Sequence, residues 1–261
     1  MLLVVSKMLI LTCASLSGGQ GKTTVAILLG RMLAQTGQRV LMIDADPQAN
    51  LTFYLGHEVQ QNQPTLLEVL KKQINTEDGI YEIGENLWLI PADDGLDNAQ
   101  EFLSGSGMGA IVLSKRLKEI SDLFQYCIVD APPQRSQICL TSLGAADHII
   151  ISVEASSKGV NSLIRTLSLV EELQEIDAFS GIVLGILPFR DKWVGNNQVA
   201  QSKASISAMR TIAEEIVVLP SILESEQFKK AIDKGVSLSS LGFEQLETPF
   251  QQIIERLQKN V

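Results

Sequence analysis

Apolar runs alternate with amphipathic stretches along most of this chain. The predicted strands are near-continuous apolar runs, as is typical of parallel strands covered on both faces. They span Met8–Ala14, Arg39–Ile43, Leu87–Ile90, Tyr126–Val129, His148–Val153, Ile182–Leu187 and Ile216–Leu219. Helical periodicity predicts helices over Thr24–Gln35, Gly109–Phe124, Val160–Glu172 and Gln198–Glu215, and Gly37 is placed to end the first of them. This alternation predicts an α/β fold with a doubly wound, mostly parallel sheet and helices on both faces.

The composition favours one globular domain over residues 1–261. The chain is 45% hydrophobic, which is enough for a large core, and it contains no Pro/Gly/Ser-rich linker and no internal repeat. Its net charge of −9 excludes a strongly basic protein, but residues 190–261 carry nine acidic and nine basic side chains, which leaves room for a local basic face. Three cysteines without metal-ligand spacing (Cys13, Cys127 and Cys139) predict buried, reduced thiols in a cytosolic protein.

The first sixteen residues need a separate check against a targeting segment. Their start lacks basic charge, and their apolar run is too short to span a bilayer. We therefore expect a strand here, with Met1–Ser6 as an extension ahead of it.

A glycine-rich loop follows the first predicted strand and opens the first predicted helix. Its residues are Ser17, Gly18, Gly19, Gln20, Gly21, Lys22, Thr23 and Thr24. Glycines let successive backbone N–H groups converge on a phosphate, and the helix N-terminus favours its negative charge. Lys22 is placed for the β- and γ-phosphates, Thr23 for Mg²⁺ and Thr24 for the α-phosphate. Leu16 stands where the general pattern has glycine, so the loop is a variant form.

Carboxylates end two further strands at the edge where ligands of such sheets bind. Asp44 and Asp46 follow the second strand, and we expect them to point the same way, Asp46 orienting a water molecule with Asp44 in support. Asp130 ends the fourth strand in a Walker B pattern and is expected at Mg²⁺ with Thr23. Lys158 lies in the segment that leaves the fifth strand, which we predict to be a loop on the same edge.

The chain resembles the ParA/MinD family of deviant Walker ATPases, and its ParA branch most, in four segments: Gly-Gly-Gln-Gly-Lys-Thr-Thr, Asp-Ala-Asp-Pro-Gln-Ala-Asn, Ile-Pro-Ala and Val-Asp-Ala-Pro-Pro. They occur in the family's order and approximate spacing over nearly the whole chain. The segment Leu219-Pro220-Ser221 is similar to the one with which that family contacts adenine. The resemblance implies a P-loop NTPase that binds ATP or ADP with Mg²⁺, and it assigns Pro220 and Ser221 to the nucleotide.

The same resemblance implies an ATP-dependent homodimer with slow hydrolysis. It also implies non-specific DNA binding by that dimer, a cytoplasmic, nucleoid-associated location and a ParB-like or McdB-like adaptor that stimulates hydrolysis. The cargo would be a plasmid or a carboxysome-like organelle.

One position departs from the family pattern. The family has a signature lysine just before the Gly-Gly pair, where it reaches the partner's phosphates, and this chain has Ser17. Two triphosphates facing each other bring like charges together at low dielectric, so another cation is needed if the dimer is kept. Lys158 is the first candidate to act in trans, and Arg135 is the second. A ParA-like subgroup that positions carboxysomes in cyanobacteria resembles this chain in lacking the signature lysine.

Several basic residues are candidates for phosphate contacts with DNA, whose non-specific binding needs only a few such contacts. They are Arg190, Lys192, Lys203, Arg210, Lys229, Lys230 and Lys234. The amphipathic tail Leu246–Val261 lacks a basic polar face, so we expect it to pack on the core and not on a membrane, as a MinD-like protein would require. A third interpretation is a biosynthetic P-loop enzyme, but neither His57 nor His148 belongs to a recognisable catalytic constellation.

Overall fold

The computed structural model describes residues 7–259, and the expected extension Met1–Ser6 lies outside this range. Its main sheet has seven strands: β1 Leu9–Ala14, β2 Val40–Asp44, β3 Tyr81–Gly84, β4 Leu87–Ile90, β5 Tyr126–Asp130, β6 His148–Glu154 and β7 Ile182–Phe189. Their order across the sheet is β3-β4-β2-β5-β1-β6-β7. All neighbours pair in parallel except β3, which is antiparallel to β4 at one edge. A separate hairpin pairs β8 Trp193–Val194 with β9 Asn197–Gln198.

Ten α-helices occur among the described residues: α1 Lys22–Gln35, α2 Asn50–Tyr54, α3 Leu66–Lys71, α4 Ala99–Gly105, α5 Val112–Lys118, α6 Gln137–Gly144, α7 Ser157–Glu175, α8 Ala200–Ala213, α9 Gln227–Lys234 and α10 Thr248–Lys259. Helix α1 ends at Gln35 with Thr36 as its C-cap, and Gly37 follows in the left-handed region at φ 81°, as its sequence predicts. The predicted α/β fold, a mostly parallel doubly wound sheet covered on both faces, is confirmed.

Alternate residues of the central strands feed cores on opposite faces of the sheet. Leu9 and Leu11 of β1 pack in the same cluster as apolar residues of α1, α9 and α10. Ile10 packs on the other face with residues of α3, α4 and α5. A third cluster, on that same second face, joins β6 to α6, α7 and α8. With both faces covered, the strands must be apolar at nearly every position, which is the pattern that made them recognisable.

Two predicted elements differ from the structure, and one strand of the main sheet was not predicted. Ile216–Leu219 is not a strand, because only Val218 bridges β7, and Pro188 cannot donate the N–H group that would extend the pairing. The helix predicted over Gly109–Phe124 is reduced to a 3-10 turn followed by α5, and the chain then turns so that the Ser121 carbonyl accepts from the Met8 N–H at 3.2 Å.

The third difference is an added strand at the edge of the sheet, β3, which alternation did not predict. It is four residues long, and its pairing with β4 is irregular between Glu82 and Gly84. Side chains along it alternate between half-buried and exposed, with Glu82 on the exposed side. It therefore covers the edge of β4 without continuing the apolar pattern of the inner strands.

The C-terminal helix α10 packs on the sheet, as predicted for the amphipathic tail. Phe250, Ile253 and Leu257 are fully buried in the cluster formed with α1 and α9. Across residues 7–259, no helix combines the length and the apolar character needed to cross a membrane. All three cysteines are buried and unpaired with one another, as their sequence context predicts.

Candidate functional site

The glycine-rich loop connects the carboxyl end of β1 to the N-terminus of α1. Gly21 caps α1 at φ 87°, a left-handed conformation that favours glycine, and a Cβ there would lie 2.6 Å from the Phe189 ring. At Gly18 and Gly19, by contrast, a Cβ would meet no atom within 4 Å. The loop is therefore closely packed against β7 on one side and open on the other, where an anion can approach the backbone.

Lys22 lies in the first turn of α1, and its side chain is mostly buried against the loop. Its Nζ donates a long hydrogen bond of 3.4 Å to the Ser17 carbonyl. Burial lowers the pKa of this ammonium, and the nearby carboxylates Asp130 and Asp46 oppose that shift. A cation held in this way, without a salt bridge to any residue that the structure describes, favours a negatively charged ligand over the open loop.

Thr23 and Asp130 meet across the site. The Thr23 hydroxyl donates to Asp130 Oδ2 at 2.6 Å, while the buried Oδ1 of the same carboxylate has no hydrogen-bond partner. Burial, and then the charge of Asp44, raise the pKa of Asp130 to about 7. An orphaned carboxylate oxygen beside a hydroxyl is an oxygen donor set of the kind that Mg²⁺ prefers, so these residues fit the metal.

Asp44 lies beside Asp130, because the two are register partners on β2 and β5. It is fully buried, and its Oδ2 accepts hydrogen bonds of 2.8 Å from both the backbone N–H and the hydroxyl of Thr52. Burial raises the pKa of Asp44 to about 6, although the Thr52 bonds favour its ionised form.

Asp46 differs from Asp44 in its surroundings. Strand β2 ends at Asp44, so strand alternation does not fix the direction of the Asp46 side chain. Asp46 is half-buried in the following turn, where its N–H donates to Asp44 Oδ1 at 3.2 Å and its Oδ1 accepts from the Gln48 N–H at 3.0 Å. Asp44 therefore holds the turn, and Asp46 is presented at the site by it.

Two residues, one inside the glycine-rich loop and one outside every motif, connect the site to neighbouring elements. The Thr52 hydroxyl accepts from the Ala92 N–H at 3.1 Å, so this one side chain joins β2, α2 and the segment after β4. Gln20 ties the loop to β6, because its Oε1 accepts from the Glu154 N–H at 2.8 Å and its carbonyl accepts from the Ser152 hydroxyl. Gln20 could be assigned to the site from its position in the glycine-rich loop. Nothing in the sequence assigned Thr52 to the site.

Lys158 lies beside the glycine-rich loop, but it is part of a helix and not of the loop predicted after β6. It belongs to the first turn of α7, which begins at Ser157, and its Nζ donates to the Gly18 carbonyl at 2.9 Å. The ammonium is thus next to the position at which the family resemblance places its signature lysine. Arg135, the second candidate, donates instead to Glu172 of α7 in an exposed salt bridge.

A cleft of about 830 Å³ opens from Thr23 and Thr24 toward the C-terminal part of the chain. Its far walls include Arg190, which lies over the Phe189 ring at 5.5 Å, and Lys229 and Lys230 of α9. The predicted adenine residues are not among its lining. Pro220 is exposed, and Ser221 donates to the buried Asp191 at 2.7 Å, while later residues of the same loop line the cleft.

Two of the other candidate DNA-binding cations lie away from this cleft, on a different face of the molecule. Lys203 and Arg210 are exposed on α8, which packs on the opposite face of the sheet from α9. Lys192 forms a salt bridge of 3.3 Å with Glu224. The predicted set is therefore divided between two faces of the molecule.

Comparisons with known proteins agree with this geometry. The family described as "AAA domain" matches residues 8–178. The chain is 61% identical over 250 residues to the maintenance of carboxysome distribution protein A of Synechococcus elongatus, covering 96% of this chain and 99% of that protein. A structure of a Cyanothece McdA variant in complex with ATP matches with a TM-score of 0.95 at 53% identity, over 97% of each chain.

A more distant match is a biosynthetic enzyme. The cobyrinic acid a,c-diamide synthase of Mycobacterium smegmatis, solved with a bound ATP analogue and magnesium, gives a TM-score of 0.75 at 27% identity. The match covers 84% of this chain and 86% of that one. Both the identity and the coverage are lower than for the carboxysome-distribution proteins.

Proposed function

Because this chain belongs to the ParA-type P-loop ATPases, in the family of the carboxysome distribution protein A, we propose that it hydrolyses ATP slowly to distribute a carboxysome-like cargo. The contact between Thr23 and Asp130 is the observation that carries this proposal. It combines a 2.6 Å hydrogen bond with an orphaned, buried oxygen of Asp130 beside an open phosphate loop. A merely structural Thr–Asp pair would leave no buried carboxylate oxygen without a partner.

Each residue of the site has a distinct task in this proposal. The backbone from Gly18 to Gly21 and the Lys22 ammonium bind the phosphates, and Thr24 contacts the α-phosphate. Thr23 and Asp130 hold Mg²⁺, which would neutralise charge on the β- and γ-phosphate oxygens. Asp46 orients the attacking water, and Asp44 fixes the turn that carries Asp46. Hydrolysis is slow alone, because only this turn holds the water-orienting carboxylate in place.

The ATP-bound state would be a homodimer in which Lys158 reaches the partner's phosphates. Its bond to the Gly18 carbonyl already holds an ammonium beside the loop, where the repulsion between two facing triphosphates needs compensation. Forming the dimer exchanges that neutral acceptor for a charged one, and charge-assisted hydrogen bonds are the stronger kind. Arg135 is the second candidate, since its salt bridge with Glu172 must first break.

The ATPase cycle would determine where the cargo lies in the cell. We propose that the ATP-bound dimer attaches non-specifically to DNA of the nucleoid through some of the basic residues Arg190, Lys192, Lys203, Arg210, Lys229 and Lys230. A ParB-like or McdB-like adaptor on the cargo then triggers hydrolysis and release. Dimerisation doubles the number of phosphate contacts, which makes attachment depend on the bound nucleotide.

A biosynthetic ATPase is the second candidate, favoured by the likeness to the cobyrinic acid a,c-diamide synthase. The two functions make different demands on turnover. A positioning ATPase should respond to DNA together with an adaptor, whereas a ligase should respond to a small carboxylic acid and an amide donor. A MinD-like membrane role has less support, because the apolar face of α10 is buried in the core.

The deciding experiment is the mass of the protein in solution with ADP and with ATP plus Mg²⁺, for the wild type and for Lys158→Ala. We expect a dimer only with ATP, and a monomer for the variant under both conditions. Lys115→Ala is the matched control, since Lys115 is exposed on α5 away from the loop. A wild-type monomer with ATP would contradict the switch, and a dimeric Lys158→Ala would remove Lys158 from it.

A further inference from the structure

A second cavity, of about 730 Å³, lies next to the phosphate site and takes no part in the chemistry described so far. One wall is the segment Pro47–Ala49, which follows Asp46 directly, and α2 with Phe53 continues it. The facing wall is the segment after β4, from Ala92 to Asp94. Gly56–Val59 closes one end.

Both walls are connected to the site by hydrogen bonds. On the first wall, the Ala49 N–H donates to the Asp46 carbonyl at 2.8 Å, and Ala49 adopts the left-handed conformation at φ 51°, which is unfavourable for a residue with a Cβ. On the second wall, the Ala92 N–H donates to the Thr52 hydroxyl, which itself donates to Asp44. A molecule bound between the walls would therefore act on the turn that presents Asp46.

The lining is apolar with a negative rim. Asp93, Asp94 and Glu58 contribute carboxylates, and no lysine or arginine is among the lining residues. Burial, and then the neighbouring charges of Asp94 and Glu68, raise the pKa of Asp93, while a hydrogen bond from the Gly95 backbone opposes this shift.

Two aromatic residues, Phe53 and His57, lie at the rim of the cavity. Phe53 is 74% exposed, and its ring lies 5.4 Å from the exposed Tyr54 ring, so the two aromatic side chains form an uncovered apolar surface beside the cavity. His57 is held elsewhere, since its ring lies 5.0 Å from Tyr81 and its Nε2 is 3.2 Å from Gln63, so it does not pair with Asp93. The cavity thus lacks a cation and a cover for its apolar rim.

We propose that this cavity docks a peptide segment of a partner protein in which a lysine or arginine lies beside an apolar side chain. The cation pairs with Asp93, and the apolar side chain covers Phe53. The inference rests on the proposed function, because the docked segment acts by shifting the Pro47–Ala49 turn and with it Asp46. It assigns the hydrolysis trigger to a defined place outside the phosphate loop.

The test uses a phage library of random twelve-residue peptides, selected on the wild-type protein with ATP and Mg²⁺. We expect the enriched peptides to carry a lysine or arginine next to a large apolar residue, and to bind Asp93→Asn about tenfold or more weakly, because a partly buried charge pair is lost. Phe53→Ser should also weaken them. Asp97→Asn is the matched control, an exposed carboxylate in the same loop outside the cavity, and should leave binding unchanged.

Several results would overturn the proposal. These are the absence of enriched peptides, enriched peptides without a cation, or equal binding by wild type and Asp93→Asn. If Asp93→Asn or Phe53→Ser changed ATP-dependent dimerisation without peptide, the occupant would be a second copy of this chain and not a partner peptide. Labelled-ATP binding, measured on every variant, separates the two levels: loss of ATP binding by the wild type contradicts the proposed function, while intact ATP binding without selective peptide binding contradicts only the docking site.

Discussion

The two sides of the phosphate loop are built differently. On the side of β2 and β5, Asp44 and Asp130 are buried, and three hydrogen bonds from Thr52 and Asp46 hold Asp44 alone. On the side of the C-terminal cleft, Arg190, Lys229 and Lys230 are exposed, and Arg190 lies over the Phe189 ring. One side is fixed before any ligand arrives, and the other is not.

The difference follows from what each side has to recognise. Orienting a water molecule and a metal ion requires carboxylates that are already in place, and burial together with the hydrogen bonds to Asp44 supplies that placement. A non-specific contact with a DNA phosphate contributes a similar binding free energy for many positions of the lysine or arginine side chain. Such side chains can therefore stay solvated before DNA binds. We therefore expect catalysis on the side of β2 and β5, where the carboxylates are preorganised, and binding on the side of the C-terminal cleft, where the cations are not.

The largest effect is expected at Asp46, which tests whether the fixed side performs the chemistry. Replacing it with alanine should lower ATP turnover by about 10²- to 10⁴-fold, the usual contribution of a group that positions or deprotonates a nucleophile, with ATP binding retained. Single-turnover hydrolysis and labelled-ATP binding measure the two quantities separately. Asp122→Ala, an exposed carboxylate, serves as the control. Unchanged turnover in Asp46→Ala would move the task to another residue.

The next effect concerns the buried charge of Asp130. In the unfolded chain this carboxyl ionises near 3.8, and in the folded protein near 7. The folded state therefore holds a proton that the unfolded state has released, so the stability of the nucleotide-free protein should fall as pH rises from about 4 to about 7 and then level off. Asp130→Asn should abolish much of this fall, gaining up to about 4 kcal/mol at pH 8 and almost nothing at pH 4.

Urea unfolding of the two proteins across this pH range, without metal or nucleotide, measures that gain. The same variant should bind Mg²⁺-dependent nucleotide more weakly, because it loses a ligand. A stability difference independent of pH would contradict the assigned cause.

A smaller effect is expected at Thr52, which connects the fixed side to the rest of the fold. Thr52→Val keeps the shape but leaves the buried Ala92 N–H without its acceptor and removes one donor from Asp44, at a cost of about 1–3 kcal/mol in the free energy of unfolding. Thr52→Ser should restore most of it. Equal stability of the valine and serine variants would show that the hydroxyl does not matter.

The smallest effects are expected for the exposed cations. They distinguish the pair on α8 from the pair on α9. Lys203→Ala with Arg210→Ala should reduce the slope of log affinity for DNA against log salt by about 2 per protomer, close to one for each lost phosphate contact. Lys229→Ala with Lys230→Ala should instead weaken ATP binding, because both residues line the cleft that opens from Thr24. The opposite result would place the DNA on the α9 face.

The phosphate loop and the strand ends could be predicted because each is continuous in sequence. A strand followed by glycines, lysine and threonine leaves little conformational choice, and Asp44 and Asp130 become neighbours as soon as β2 and β5 pair. The contacts of Thr52 with Asp44 and Ala92 could not be predicted in this way, because they depend on how a short helix and a distant loop pack together. The same is true of β3, whose existence depends on an edge left by β4.

Lys158 shows a more subtle limit. Its place on the correct edge of the sheet followed from strand order, but the sequence suggested a loop, whereas Ser156 caps α7 and brings Lys158 into the first helical turn. That turn directs the side chain back to the Gly18 carbonyl. A shift of three residues in the helix start, from Val160 to Ser157, decided the contact, and helix starts are the least predictable part of a pattern.

The edge strand β3 limits pairing between copies of the protein when their local concentration is high. An open strand edge is a template for pairing with another chain, and molecules gathered on one surface would meet edge to edge many times. A short strand with an irregular pairing and an exposed glutamate offers few aligned backbone groups to a neighbour. Crowding of many copies should therefore leave them individually dispersed, without growth into fibres.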